Sequence, residues 1–333
     1  MKNITPILRV KDLHVEFDTY GGVVKAVRGV SFDVSHGLTT AIVGESGCGK
    51  SVTVQSIMGL IPTPPGKITS GEAIIEGQDI LKNKKIKGKD IRGSKIGMIF
   101  QDPMTSLNPT MKIGDQVAET IQVHLGLSHA ASFKKAESLL DMVQIPDAKQ
   151  RANQYPFELS GGMLQRSMIA MAVACEPDIL IADEPTTALD VTIQSQILTM
   201  LSEMQKTRGM AIILITHDLG VVAEMADDVL VMYAGEIIEK GNVNEIYNNS
   251  SHPYTIGLKE AMPRNEKNHS KKLMPIAGSP PDLFSPPPGC GYFDRCPIAM
   301  NICEEKKPSI FQIEKNHYAN CWAHHKNATV TIK

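Results

Sequence analysis

The segment "GESGCGKS", Gly44 to Ser51, decides the fold. It matches the pattern G-x-x-x-x-G-K-[S/T], whose glycines let backbone amides fold around phosphate groups while the lysine adds a positive charge. The apolar run "LTTAIVG" leads into it, and "KSVTVQSIMGLI" has helical spacing from its lysine onward. A strand, a glycine-rich turn and a helix in this order predict the opening of a phosphate-binding α/β domain.

The loop is expected to bind a nucleoside triphosphate together with Mg²⁺. Lys50 would contact the β- and γ-phosphates, and the Ser51 hydroxyl would be a ligand of the metal ion. Cys48 occupies a variable position of the pattern and receives no separate role. The alternative is a glycine turn before a helix with no ligand. The residues predicted to bind the nucleotide here are Gly44, Glu45, Ser46, Gly47, Cys48, Gly49, Lys50, Ser51 and Val52.

Further apolar runs predict a mostly parallel sheet. Long helical stretches separate these runs, an arrangement typical of parallel sheets that are covered on both faces. One such stretch, at about residues 102–176, is predicted to be an inserted helical lobe. The predicted strands are "IGMIF" from Ile96, "DILIAD" from Asp178, "MAIILIT" from Met210 and "DVLVMY" from Asp228.

Polar residues follow three of these strands, where a parallel sheet of this class binds its ligands. Asp183 is predicted to hold Mg²⁺ through water, and Glu184 to orient and deprotonate the attacking water. His217 would reach the γ-phosphate, the alternative being a structural histidine. Gln101 would sense the γ-phosphate, the metal ion or the water. Outside a phosphate-binding sheet, acids at strand ends are usually only solvated.

Composition narrows the function classes. The 333-residue chain has a formal net charge of −2, which argues against a protein that coats nucleic acid. No segment approaches the ~20 consecutive apolar residues of a membrane helix. The N-terminus lacks the apolar core of a signal peptide. We therefore expect a cytosolic protein that reaches a membrane only through a partner.

The segment "LSGGMLQR", Leu159 to Arg166, resembles the signature motif of ABC-type ATPases. The phosphate loop, Gln101, the strand-end acids, "ALD" ending at Asp190, and His217 occur with it in the order of that family. The resemblance implies a P-loop NTPase (RecA-like) α/β core. To this core the family adds an antiparallel β subdomain and an inserted α-helical subdomain that bears the signature.

In this family two ATPase domains dimerise head to tail, each ATP lying between one phosphate loop and the partner's signature. The resemblance therefore implies that Ser160, Gly161 and Gly162 cap the γ-phosphate bound to a partner, with Asp190 among the nucleotide-site residues. Tyr20 matches the aromatic residue that stacks on adenine, the alternative being an ordinary aromatic residue at a strand end. Met163 replaces the family's usual glutamine, but the serine and both glycines remain, so we expect an active site.

A finer resemblance is to the D-type ATPase subunits of oligopeptide and dipeptide importers. It rests on "IFQDPMTSLNP", on "SHPYTIGLKEAMPR" from Ser251, and on "PIAGSPPDLFSPPPGCGYFDRCP". The proline-rich part of the last segment is expected to lack regular structure. The resemblance implies an ATPase domain over residues 1–250 and a C-terminal extension over residues 251–333.

That resemblance implies an ATP-hydrolysing subunit that energises peptide import from the cytoplasmic face of the cell membrane. The implied partners are a second, F-type ATPase subunit, two transmembrane permease subunits and an extracytoplasmic peptide-binding protein, with no nucleic acid. The same machine could take nickel or oligosaccharides, because other subunits choose the cargo. A soluble ABC ATPase of DNA repair or translation is the other alternative, but the chain lacks the coiled-coil arms or second cassette of that class.

Four of the six cysteines lie near the C-terminus: Cys290, Cys296, Cys303 and Cys321. Their spacing fits neither common zinc sites nor ferredoxins. A metal or cluster, free thiols and, least in a cytosolic protein, disulfides all remain open. The resemblance implies a [4Fe–4S] cluster on these four residues, and zinc assisted by His317 or His324 is the alternative. Cys175 is predicted to be a small buried residue on a helix.

Overall fold

A computed structural model describes residues 5–83, 85–86, 88–187, 189–262 and 275–332. In chain order its elements are β1 (Leu8–Thr19), β2 (Gly22–Val34), β3 (Thr39–Val43), α1 (Lys50–Ile57), β4 (Gly66–Ile75), β5 (Gln78–Asp79), α2 (Gly88–Ile91), β6 (Ile96–Ile99), α3 (Pro103–Ser106), α4 (Ile113–Leu125), α5 (His129–Met142), α6 (Ala148–Arg151), α7 (Gly161–Ala172), β7 (Ile179–Asp183), α8 (Val191–Arg208), β8 (Ala211–Thr216), α9 (Leu219–Met225), β9 (Asp228–Tyr233), β10 (Glu236–Asn242), α10 (Val243–Asn248), α11 (Pro253–Glu260), α12 (Asn301–Glu305), β11 (Phe311–Gln312) and β12 (Tyr318–Ala319). Short 3₁₀ turns cover Pro156–Glu158, Phe293–Arg295 and Trp322–His324.

The chain divides into two compact units. The signature unit comprises the described residues within Met1–Ile7, Val34–Thr39 and Asn83–Ile215. The loop unit comprises those within Leu8–Asp33, Thr40–Lys82 and Thr216–Lys333. The predicted domain boundary at residue 250 stays a prediction.

The loop unit contains two groups of strands. In one, the strand order is β2-β1-β4-β5, and β4 pairs antiparallel with both β1 and β5. In the other, β3 pairs parallel with β9, and β9, β10, β12 and β11 follow as antiparallel neighbours. The first group matches the antiparallel β subdomain implied by the family resemblance.

The core of the loop unit joins the phosphate-loop strand to the C-terminal extension. All five residues of β3 are buried. Their neighbours in the core include Val231 of β9 and the three tyrosines Tyr233, Tyr254 and Tyr292. Cys290 and Cys296 pack against this cluster. The proline-rich segment of Gly278 to Gly289 has no helix or strand, as expected, and its Leu283 carbonyl accepts a hydrogen bond from the Lys25 amide at 2.9 Å.

The signature unit joins three parallel strands to a helical group. Strands β6, β7 and β8 pair in that order, all parallel. Helices α4, α5 and α7 pack against one another through apolar residues that include Ile121, Leu140 and Met168. The predicted helical lobe is therefore present. Cys175, however, lies beyond the end of α7 and is half-buried, so its predicted place within a helix is wrong.

Within the described ranges, no helix combines the length and the apolar character that crossing a membrane would require.

Candidate nucleotide site and C-terminal cysteine cavity

The phosphate loop leaves the buried end of β3 and passes directly into α1, as the sequence predicts. Two of its glycines have positive φ in positions with no room for a side chain. A Cβ on Gly44 (φ 155°) would collide with the Met232 carbonyl oxygen. A Cβ on Gly49 (φ 101°) would lie 2.5 Å from the Ala26 carbonyl oxygen. Only glycine fits such positions, so the pattern of the loop has a direct steric cause.

The side chain of Lys50 lies within the phosphate loop and contacts its backbone. Its Nζ donates to the carbonyl oxygens of Gly44 at 2.8 Å and Glu45 at 2.9 Å. The residue is 5% exposed, so its charge is concentrated at the loop. Ser51 and Val52 follow in the first turn of α1, and Ser46 and Gly47 are exposed at the loop's outer edge. A helix N-terminus with a buried cation suits an anion such as a polyphosphate.

Cys48 is buried within this loop. Burial raises the pKa of its thiol, while the nearby positive charge of Lys50 lowers that pKa in part. The thiol is therefore a neutral filler of the loop interior, in keeping with the absence of a separate role.

Tyr20 and His217 are the other predicted site residues of the loop unit. Tyr20 lies at the turn between β1 and β2, and its side chain is fully exposed. His217 is exposed directly after the end of β8 and before α9. Both side chains are accessible to a ligand, and their predicted contacts with adenine and γ-phosphate stay predictions.

The signature unit brings Gln101 and Glu184 together. The Gln101 Nε2 donates to the Glu184 Oε2 at 2.9 Å, and the Thr187 hydroxyl donates to the same oxygen at 2.9 Å. Glu184 has a φ of 48°, an uncommon conformation for a residue with a side chain and one that recurs at functional sites. Its neighbour Asp183 ends β7 and is 3% exposed. Carboxylate and hydroxyl oxygens are ligands that Mg²⁺ prefers, so Asp183 and Ser51 have the right donor chemistry.

The predicted signature residues lie at the start of a helix. The Ser160 Oγ caps α7 by accepting a hydrogen bond from the Met163 amide at 3.4 Å. Gly161 has open space where a Cβ would stand. Gly162 is also in the first turn. Asp190 caps α8 in the same way, with its Oδ1 2.9 Å from the Ile193 amide. Both caps are structural roles, and the contacts of these residues with nucleotide stay predictions.

The four C-terminal cysteines line one cavity in the loop unit, together with His252 and Tyr292. All four are free thiols. Burial raises the pKa of Cys290 to about 12 and that of Cys321 to about 11, and the charges of the neighbouring thiols contribute to both shifts. The thiolate forms are thus disfavoured unless a cation compensates their charge.

The four cysteines as placed do not form a metal site, so the predicted metal at them stays a prediction. No group of three or more His, Cys, Asp or Glu side chains among the described residues could hold a metal ion. The cavity has a volume of about 10 Å³, room for about one water molecule. The proposed assisting histidines are engaged elsewhere: His317 Nε2 lies 2.8 Å from Glu239, and His324 Nε2 lies 2.6 Å from the Ser251 carbonyl oxygen.

The sequence patterns did not predict three residues that lie near the predicted sites. Thr187 donates a hydrogen bond to the carboxylate of Glu184. Its position two residues after "DEP" in the sequence could have indicated this contact. Arg295 forms two hydrogen bonds with the carboxylate of Glu45, at 2.7 and 2.9 Å. The Tyr254 hydroxyl accepts a hydrogen bond from the Glu45 amide at 2.8 Å. The last two lie more than 200 residues from the loop, and no local pattern indicates their contacts.

Two family models match the chain. The model described as "ABC transporter" matches residues 27–187, and the model described as "Oligopeptide/dipeptide transporter, C-terminal region" matches residues 238–303. The dipeptide transport ATP-binding protein DppD of Bacillus subtilis (strain 168) is 54% identical over 97% of this chain and 96% of its own length. The oligopeptide transport ATP-binding protein OppD of the same organism is 52% identical over 98% of this chain and 92% of its own.

Solved structures agree on the fold. The ATP-binding cassette MJ0796, a dimer in a post-hydrolysis state bound to ADP and Pi, is 27% identical with a TM-score of 0.64, covering 71% of this chain and 98% of that one. CbiO1 of Clostridium perfringens, part of the ABC transporter complex cbiONQ, is 31% identical with a TM-score of 0.61, covering 76% and 94%. The chain therefore belongs to the ABC transporter ATP-binding family, in the group that joins the ATPase domain to the oligopeptide/dipeptide transporter C-terminal region.

Proposed function

We propose that the chain is the ATP-hydrolysing subunit of a membrane importer of dipeptides or oligopeptides. The observation that carries the proposal is the extent of the similarity. Relatives named for dipeptide and oligopeptide transport match 97–98% of the chain at 52–54% identity, so the match includes the C-terminal part as well as the ATPase domain.

The nucleotide chemistry follows from the residues already located. The loop from Gly44 to Val52 binds the phosphates, and Tyr20 stacks on adenine. Ser51, Gln101 and Asp183 would hold Mg²⁺, which would supply positive charge to the phosphates. Glu184 accepts a proton from the attacking water, and His217 contacts the γ-phosphate. The exposed His217 and Tyr20 and the hydrogen-bonded pair of Gln101 and Glu184 support these roles.

The transport function requires partners. The signature residues Ser160, Gly161 and Gly162 would contact the ATP that is bound to a second ATPase subunit, of the F type. Asp190 would lie near this contact. Two permease subunits provide the membrane path, and an extracytoplasmic protein delivers the peptide. The chain then sits on the cytoplasmic face of the membrane as a peripheral subunit. Ser160 and Gly161 are exposed at the start of α7, which supports the contact of the signature with a second ATPase subunit.

The test is ATP hydrolysis by the assembled transporter in lipid vesicles. Addition of the peptide-loaded binding protein is expected to stimulate phosphate release and peptide uptake together. Nickel or an oligosaccharide with its own binding protein is the matched alternative cargo, and stimulation by either one alone would overturn the peptide assignment. Co-purification with nucleic acid rather than with membrane subunits would overturn the transport function itself.

We also propose that the cysteine cavity holds a [4Fe–4S] cluster. The support is chemical: four thiols line one cavity, and burial raises the pKa of Cys290 and Cys321, which disfavours their thiolates unless iron compensates the charge. The proposal requires the side chains around the cavity to move apart. The test is an assay of iron, acid-labile sulfide and zinc after anaerobic purification. About four irons and four sulfides per chain, lost in Cys296→Ser, would support it; one zinc, or neither metal, would overturn it.

A further inference from the structure

The phosphate loop is tied to the C-terminal extension through one residue, Glu45. Its carboxylate accepts a hydrogen bond from each terminal nitrogen of Arg295. The distances are 2.7 Å from Nη1 to Oε2 and 2.9 Å from Nη2 to Oε1. Its backbone amide donates to the Tyr254 hydroxyl at 2.8 Å. Side chain and backbone of one loop residue are thus both held by residues that follow it by more than 200 positions.

Arg295 is itself fixed on several sides. Its Nε donates to the Ala277 carbonyl oxygen at 2.9 Å, and one terminal nitrogen also donates to the Tyr233 hydroxyl at 3.1 Å. The side chain is 4% exposed, whereas that of Glu45 is 27% exposed. A buried guanidinium with a two-pronged contact imposes both position and orientation on the carboxylate. Arg295 therefore acts as the rigid partner and Glu45 as the residue that is held.

Tyr254 is rigid for a different reason. It is fully buried, and its ring packs against Tyr233 and Tyr292 with centroids 4.6 and 5.4 Å away. The backbone amide of Glu45 donates its hydrogen bond to this buried hydroxyl group. That amide consequently orients the loop backbone.

Glu45 passes this constraint to Lys50 of the phosphate loop. Its carbonyl oxygen accepts from the Lys50 Nζ at 2.9 Å, so one residue is bonded to Arg295, Tyr254 and Lys50 at once. A preorganised loop binds its ligand more tightly because less conformational freedom is lost on binding. Movement of Glu45 would displace both the loop backbone and the Lys50 ammonium group.

We propose that Arg295 and Tyr254 are positioning residues of the nucleotide site, which set its affinity for ATP by holding Glu45. The inference rests on the proposed role of the loop in binding ATP. It gives the C-terminal extension a function in the ATPase reaction itself, which neither the ATPase motifs nor the names of the relatives assign to it.

The experiment compares Arg295→Met with Arg9→Met in the full-length chain. Arg9 of β1 makes a similar two-pronged contact with Asp33 of β2, at 2.9 and 3.2 Å, but on the surface and without a bond to Glu45. We expect Arg295→Met to raise the Kd for a fluorescent ATP analogue and the KM for ATP about tenfold, equivalent to about 1.4 kcal/mol. The value of kcat should change less than KM. Arg9→Met should leave all three unchanged.

Tyr254→Phe removes only the hydroxyl group and keeps the buried ring, so it tests the second contact without emptying the core. Its Kd should rise, by less than in Arg295→Met, while its melting temperature stays near that of the unaltered chain. In the Glu45→Gln/Arg295→Met double variant the Kd should be no higher than in Arg295→Met alone, because both changes break the same contact.

An unchanged Kd and KM in both Arg295→Met and Tyr254→Phe would overturn the inference. Additive effects of Glu45→Gln and Arg295→Met would also overturn it, since they would mean independent roles. Failure of the unaltered chain to bind or hydrolyse ATP would overturn the proposed function instead, so the two failures are distinguishable.

Discussion

Gln101 and Glu184 meet through a 2.9 Å hydrogen bond, in which the glutamine amide donates to Oε2 of the carboxylate. The two residues follow neighbouring parallel strands, β6 and β7, and are 83 positions apart in the chain. The bond leaves the other carboxylate oxygen, Oε1, outside this contact. A change in the position of Gln101 would therefore alter the orientation of the proposed base.

Glu184→Gln should abolish hydrolysis while preserving ATP binding. Glutamine keeps the size of the side chain but cannot accept a proton, so kcat should fall by at least about 100-fold. The variant should also accumulate ATP-bound dimers, visible as a shift in gel filtration. Phosphate release at the rate of the unaltered chain would contradict the assignment of Glu184 as the base.

Thr187→Val should lower kcat through Glu184. The hydroxyl donates to the same oxygen as Gln101, and loss of one such bond to a carboxylate is worth about 1.5 kcal/mol, or roughly tenfold in rate. Thr207→Val, which removes a hydroxyl bonded at 2.8 Å to the Glu203 carbonyl oxygen of α8, is the matched control and should hydrolyse normally. Equal rates in both variants would remove Thr187 from the site.

Ser160→Ala separates helix capping from nucleotide binding. Ser160 caps α7 and Ser128 caps α5, each accepting from a backbone amide at 3.4 Å. Both alanine variants should lose about 1 kcal/mol of stability in urea unfolding. Only Ser160→Ala should also slow hydrolysis in the assembled ATPase dimer. Equal hydrolysis by the two variants would leave Ser160 as a cap alone.

Glu239→Ala should strongly destabilise the loop unit. The buried carboxylate accepts from the Ser251 amide at 2.6 Å and the His252 amide at 3.0 Å, and it pairs with His317. Removal leaves these buried partners unsatisfied, at a cost of about 3–5 kcal/mol.

The single tryptophan, Trp322, lies beside the cysteine cavity and gives a fluorescence signal for this unfolding. Glu72→Ala, which breaks the exposed pair with Lys82, is the control and should cost less than about 1 kcal/mol. A cost for Glu239→Ala as small as that of the control would contradict the importance of the buried network.

Local patterns predicted the parts of the molecule whose chemistry is local. The strand, the turn and the helix around Gly44 and Lys50 follow from glycine geometry and apolar periodicity, and the structure has all three. The apolar run from Ile179 to Ala182 predicts the strand that ends at Asp183, and all five residues of that strand are buried. These features depend on neighbours in the chain, so the sequence displays them directly.

Contacts between distant segments were not predictable in this way. Nothing near Glu45 indicates a partner 250 residues later, because one carboxylate on a loop looks like any solvated acid. The spacing of the four C-terminal cysteines fitted no common metal site, and only the family resemblance implied a cluster; the described residues contain no group that could hold a metal ion. Cys175 was misplaced because the apolar run around it extends past the last residue of α7.

The separation between Glu45 and Arg295 also bears on how the protein is made. At about 5–20 residues per second, the ribosome adds Arg295 roughly 10–50 s after Glu45. A nascent chain can complete the whole phosphate-loop motif early, yet Tyr254 and Arg295 are added only 209 and 250 residues after Glu45. A polypeptide released before residue 295 would contain every ATPase motif and still lack the arginine that holds Glu45. Truncated products would thus compete poorly for cellular ATP.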